Sequence, residues 1–107
     1  MIRHCVFIQF RSSVTAEQRD ELFAEISALQ LHLTGILAVH IGANVSPETG
    51  MDKGFADGFM VDFAGAEARD AYLVDAAHQR AGARLVEAAE GGAAGILVYD
   101  LEMVAAE

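Results

Sequence analysis

The chain has 107 residues, 53% hydrophobic and 21% charged, which suits one small packed domain and argues against disorder. Sixteen acidic residues against seven basic ones leave a net charge of −9, and the basic residues form no run, so nucleic acid and anionic membranes are disfavoured as partners. One cysteine, Cys5, rules out an internal disulfide, and with no leader-like start and no membrane-length apolar run the expected location is cytoplasmic.

Residues 2–11 alternate with period two. His4, Val6, Ile8 and Phe10 share one face and Arg3, Cys5, Phe7, Gln9 and Arg11 the other, so this is a first strand with one side toward a core. Thr15 followed by Gln18 is a capping-box pattern, and Leu22, Ile26, Leu29 and Leu33, with Phe23 alongside, recur at helical spacing until Thr34-Gly35. Residues 36–45 form a second strand, with Leu37, Val39, Ile41, Ala43 and Val45 on one face. The polar stretch 46–54 holds the single proline and reads as a loop long enough to cover something.

Residues 55–63 return as a third strand whose odd face, Phe55, Asp57, Phe59, Val61 and Phe63, is the buried one. A helical region over 66–90 follows, interrupted at Asp75, a residue type that starts helices, and closed by Gly91-Gly92. Residues 94–103 form the last strand, and 104–107 a loose tail. The order β-α-β-β-α-β predicts a ferredoxin-like α+β fold, an antiparallel sheet with both helices on one face. The other sheet face, carrying Cys5, Phe7 and Met60 beside Gln9, Ala56, Gly58 and Asp62, is then left uncovered and predicts a homodimer.

The stretch Tyr72-Leu73-Val74-Asp75-Ala76-Ala77-His78 resembles the signature of the Dabb family, the stress-responsive α/β-barrel domains: a Tyr, an apolar pair, His-Pro, one residue, His. Arg3 to Phe10, Thr34-Gly35-Ile36, Gly42-Ala43-Asn44 and the third strand resemble the family's segments in the same order. The resemblance implies a single domain over 1–107 (core about 2–103), dimeric as an α+β barrel, most often without assigned chemistry. One plant polyketide cyclase of the family carries out a metal-free aldol condensation with a Tyr and a His of this signature. By that resemblance Tyr72 and His78 are the catalytic candidates, and His4 matches a further pocket histidine. Asp57 stands where the cyclase has another histidine, and Asp-Ala at 75–76 replaces His-Pro.

On one unbroken helix Tyr72 and His78 would point roughly 240° apart, so a break at Asp75 is what allows them to share a space. A neutral imidazole, ordinary pKa about 6.5, can take a proton beside a carbonyl while a phenol donates to the developing oxyanion. Gly82, one turn past His78, leaves room for a ligand, so His4, Asp57 and Gly82 are the candidate ligand-binding residues. Plainer roles stand beside these: His78 as a packing histidine, Tyr72 as a tethered core aromatic, His4 and Asp57 as a pair. No metal-ligand spacing and no cofactor motif occurs, so neither is expected. The leading expectation is a small-molecule-binding dimer; a cofactor-free cyclase, enolising enzyme or oxygenase is one alternative, and a purely structural dimer the other.

Overall fold

In the computed structural model, which describes residues 1–105, strands β1 (Ile2–Ile8), β2 (Ile36–Ala43), β3 (Asp57–Phe63) and β4 (Ile96–Glu102) enclose helices α1 (Ala16–Ala28), α2 (Ala66–Val74) and α3 (Ala76–Ala88) in the order β1-α1-β2-β3-α2-α3-β4. All neighbouring strands are antiparallel and the sheet order is β2-β3-β1-β4. This is the ferredoxin-like arrangement, with the second helical segment in two pieces. The first and third strands are shorter than the sequence suggests: Phe10 makes only an isolated bridge to Ala89, and Asp57 opens β3. Val104 and Ala105 carry no helix or strand, and the remainder of the expected tail lies outside the described residues.

The core lies between the sheet and the helices. Val6 and Ile8 of β1 and Phe59, Val61 and Phe63 of β3 meet Leu22, Phe23 and Ile26 of α1, Tyr72 of α2 and Ala81 and Leu85 of α3, all buried. Period-two alternation puts the strand residues on one face, and three- and four-residue spacing puts the helical ones on one stripe. Each buried Val, Leu, Ile or Phe side chain among them contributes roughly 1.5–3 kcal/mol of apolar burial. At the start of α1 the capping box is complete: the Gln18 amide donates to Thr15 Oγ1 at 3.1 Å and the Thr15 amide to Gln18 Oε1 at 2.8 Å. The helix is shorter than its apolar spacing suggests, because Leu29–Leu31 tighten into a 3₁₀ turn.

Two details depart from simple alternation. The β2–β3 register shifts between Ile36 and Ala38, so Ile36 packs against the core while Leu37 is 61% exposed. One extra residue in a strand inverts the facing of what precedes it, which a period-two reading cannot register. Gly35, at φ 83°, sits where a Cβ would come 2.5 Å from Ala68 Cβ. Only glycine lets α2 approach the start of β2 this closely.

The face of the sheet away from the helices carries apolar side chains from three strands. Phe7 lies across it, 5.9 Å from Tyr99 between ring centroids, over Gly58, where a Cβ would meet the Phe7 ring at 2.8 Å. Leu97, Tyr99 and Leu101 of β4 are exposed there. Cys5, expected to contribute exposed surface, is 1% exposed, flanked in register by Met60 and Tyr99. A charged cluster is set among them: Arg3 donates to both oxygens of Asp62 at 2.8 and 3.0 Å, and His40 Nε2 lies 3.3 Å from Asp62 Oδ2. The Arg3 hydrogen bonds hold the Asp62 carboxyl below its ordinary range against the opposing effect of burial.

Candidate functional site

The break between α2 and α3 is built by Asp75. Its backbone is extended, and its Oδ2 accepts from the His78 amide at 3.0 Å as the N-cap of α3. Its other oxygen lies 3.2 Å from His32 Nε2, tying the junction to the segment after α1. Hydrogen bonding from the His78 amide, with His32 adding to it, lowers the Asp75 pKa although desolvation opposes the shift. A local Asx cap therefore re-aims the chain, as its sequence suggests.

The break brings Tyr72 and His78 together. Their ring centroids are 4.1 Å apart, and Tyr72 also contacts Phe63 at 5.0 Å and His4 edge-on at 5.7 Å. Tyr72 is 1% exposed. Its hydroxyl and His78 Nδ1 are both buried without a hydrogen-bond partner among the described residues. Burial pushes the Tyr72 phenol well above its ordinary pKa, so it remains a neutral donor. Burial also lowers the His78 imidazole, with the Leu73 carbonyl pulling the other way.

Of the other candidates, His4 belongs to this group and Asp57 does not. His4 pairs in register with Val61, whereas Asp57 opens β3 opposite Ile8, four residues along, or about 13 Å. The two do not pair with each other. Asp57 instead lines a groove of about 500 Å³ over the other sheet face, with Phe7, His40, Met51, Phe55 and Leu97. Gly82 is half-buried one turn beyond His78, and a Cβ there would meet nothing within 4 Å, so that side of α3 is open.

The partner of His4 is Asp100. His4 Nδ1 and Asp100 Oδ1 are 2.6 Å apart, and Arg69 donates to Asp100 Oδ2 at 2.9 Å. Burial raises the Asp100 pKa, but the hydrogen bonds from His4 and Arg69 more than offset it and leave the carboxyl lowered. Sequence reasoning missed both Asp100 and Arg69. The available signal was parity: Asp100 alternates with Ile96 and Val98, so it falls on the face that β4 turns toward the core. Among the described residues, no group of three or more His, Cys, Asp or Glu side chains converges as metal ligands would, and no helix is long and apolar enough to cross a membrane.

A comparison with curated proteins finds no match to the chain. Solved structures do match. A dimeric ferredoxin-like protein of unknown function from Jannaschia sp. CCS1 is 33% identical, with 95% of this chain and 98% of that one covered and a TM-score of 0.87. A protein from Arabidopsis thaliana is 22% identical over 100% of this chain and 99% of its own, with a TM-score of 0.89. A hydroxynitrile lyase from Passiflora edulis is 18% identical over 97% and 96%, with a TM-score of 0.81, a likeness of fold. The model of the stress-responsive A/B barrel domain matches residues 2–103, nearly the whole β-α-β-β-α-β frame and the Tyr72–His78 segment with it, and the chain belongs to this family, Dabb.

Proposed function

We propose that this chain is a small-molecule-binding Dabb domain, residues 2–103 forming one unit, that acts as a homodimer through its open sheet face. The observation that carries the binding site is the pair of orphaned polar atoms, Tyr72 Oη and His78 Nδ1, buried side by side under α2 and α3. A buried polar atom without a partner costs about 1–3 kcal/mol, and a carbonyl-bearing ligand that reaches it recovers that cost. The surroundings, Phe63 and the rings of His4 and Tyr72, favour an aromatic or otherwise apolar body on that ligand. Open space at Gly82 supports entry from the α3 side.

The dimer reading rests on Phe7, Leu97, Tyr99 and Leu101 on one uncovered face and on the dimeric state named for the Jannaschia relative. A single, already buried thiol at Cys5 accords with a reducing, cytoplasmic setting. Two measurements test the proposal. Acetophenone is expected to raise the melting temperature of the wild type and to raise it less in Tyr72→Phe, since ligand binding to the folded state must stabilise it. Sedimentation is expected to give twice the chain mass, and the double variant Leu97→Glu, Leu101→Glu the single mass, because an unpaired charge buried in an interface costs several kcal/mol. A monomeric wild type refutes the assembly; equal shifts in wild type and Tyr72→Phe refute the site.

A second reading, cofactor-free enolisation of the bound carbonyl compound, is favoured by one observation: the carboxylate-paired imidazole of His4 beside Tyr72.

A further inference from the structure

Tyr72, His78 and His4 are not equivalent as bases. Tyr72 is held neutral by burial and can only donate at neutral pH. Among the described residues no carboxylate bonds to the His78 ring: Asp75 spends one oxygen on the His78 backbone amide and the other on His32, and only its charge reaches the ring. A proton taken up by the His78 ring would therefore leave a half-buried cation without a directly bonded counter-ion, and burial already disfavours that form.

His4 is arranged differently. An ionised carboxylate can only accept, so the 2.6 Å contact with Asp100 fixes the neutral ring as the Nδ1–H tautomer and leaves Nε2 with its lone pair. Arg69 occupies the second Asp100 oxygen at 2.9 Å, which keeps that carboxylate charged and oriented. The cation formed when Nε2 takes a proton is then balanced by Asp100, next to a ring, Tyr72, whose hydroxyl has no partner among the described residues.

We propose that His4 is the base of this site, with Asp100 and Arg69 as its positioning residues, and that the site enolises aryl ketones. The assignment rests on the pocket reading above. In the step, the C–H bond beside the carbonyl breaks and its proton goes to His4 Nε2. The electron pair moves onto the carbonyl oxygen, giving an enolate that Tyr72 stabilises by donating its O–H. The Nε2 proton exchanges with solvent, and return of a proton from Nε2 to carbon closes the cycle, so no oxidant or reductant is needed.

Acetophenone in D₂O is the probe, its methyl protons followed by proton NMR, with binding read separately as a rise in melting temperature. The wild type is expected to exchange the methyl protons at least about a hundred-fold faster than the same concentration of free imidazole, the lower end of the range for positioned general bases. His4→Gln is expected to return exchange to that background while the melting shift persists. Asp100→Asn is expected to lower exchange about ten-fold, and His40→Gln, on the other sheet face beside Asp62, to leave it within about three-fold. Long-range ¹H–¹⁵N spectra supply an independent readout should His4→Gln not fold: the wild-type ring is expected as the Nδ1–H tautomer, with that preference lost in Asp100→Asn. An Nε2–H ring in the wild type overturns the assignment, as does exchange that survives in His4→Gln and vanishes in His78→Gln. Bound acetophenone without His4-dependent exchange overturns the base and leaves the pocket standing; no melting shift overturns both.

Discussion

Replacing Tyr72 by phenylalanine removes one oxygen and leaves every ring contact in place. The contacts with Phe63, His4 and His78, at 5.0, 5.7 and 4.1 Å between centroids, belong to the ring and not to the hydroxyl. That hydroxyl is buried and has no hydrogen-bond partner among the described residues, so its desolvation is borne there without a compensating bond. The usual cost is about 1–3 kcal/mol, and Tyr72→Phe is therefore expected to stabilise the fold by about 1 kcal/mol. For a domain of this size that corresponds to a melting point roughly 4–8 °C higher, measurable by circular dichroism and checked against the urea midpoint. Stability and ligand response then move in opposite directions, as expected where a polar group is kept for a ligand at the expense of the fold. The sign with pH follows from the raised phenol: above about pH 10 the unfolded chain releases the Tyr72 proton while the folded one retains it, so stability falls as pH rises. The variant is expected to lose that alkaline component. A loss of about 1 kcal/mol or more in Tyr72→Phe would refute the reasoning, because it would mean that the hydroxyl is bonded within the folded protein.

His78 gives the opposite pH dependence. Its folded pKa is lowered by burial, so below the ordinary value of about 6.5 the unfolded chain binds a proton that the folded chain resists, and stability falls with acidification; His78→Gln is expected to show a shallower loss as pH falls below about 6.5 in urea titrations. Gly82 sits inside α3 with open space at its Cβ position, so Gly82→Ala is expected to stabilise by about 0.5–1 kcal/mol in thermal melts, whereas Gly82→Leu is expected to weaken the acetophenone shift. Asp75→Ala removes the α3 cap and the His32 contact together, and is expected to lower the melting temperature by roughly 5 °C and to diminish the acetophenone shift as α2 and α3 lose their fixed angle.

What the sequence determined by itself is what short-range interactions decide. The capping box at Thr15 and Gln18 spans three residues, and so does the Asp75 cap on the His78 amide; both form within a single turn whatever surrounds them. The alternation of His4, Val6 and Ile8 against Phe59, Val61 and Phe63 needed only the two-residue period of a strand, and with the element order it yields the ferredoxin-like frame. The meeting of Tyr72 with His78 followed from the same local break, and the family resemblance marked the pair. The tertiary structure alone decided the partner of His4. Asp57 shares the parity of Phe59 and Val61, but parity says nothing of position along the strand: the β1–β3 register sets it four residues away, where it lines the groove on the other side. Asp100 is 96 residues from His4 in the chain and reaches it only because β4 lies antiparallel beside β1, with Arg69 brought in from α2. The same pairing gathers Leu97, Tyr99 and Leu101 beside Phe7 on the open face. Cap, period and turn are energies of neighbouring residues and can be read from order alone. Register is an energy of residues far apart, settled only when the whole sheet closes over its core.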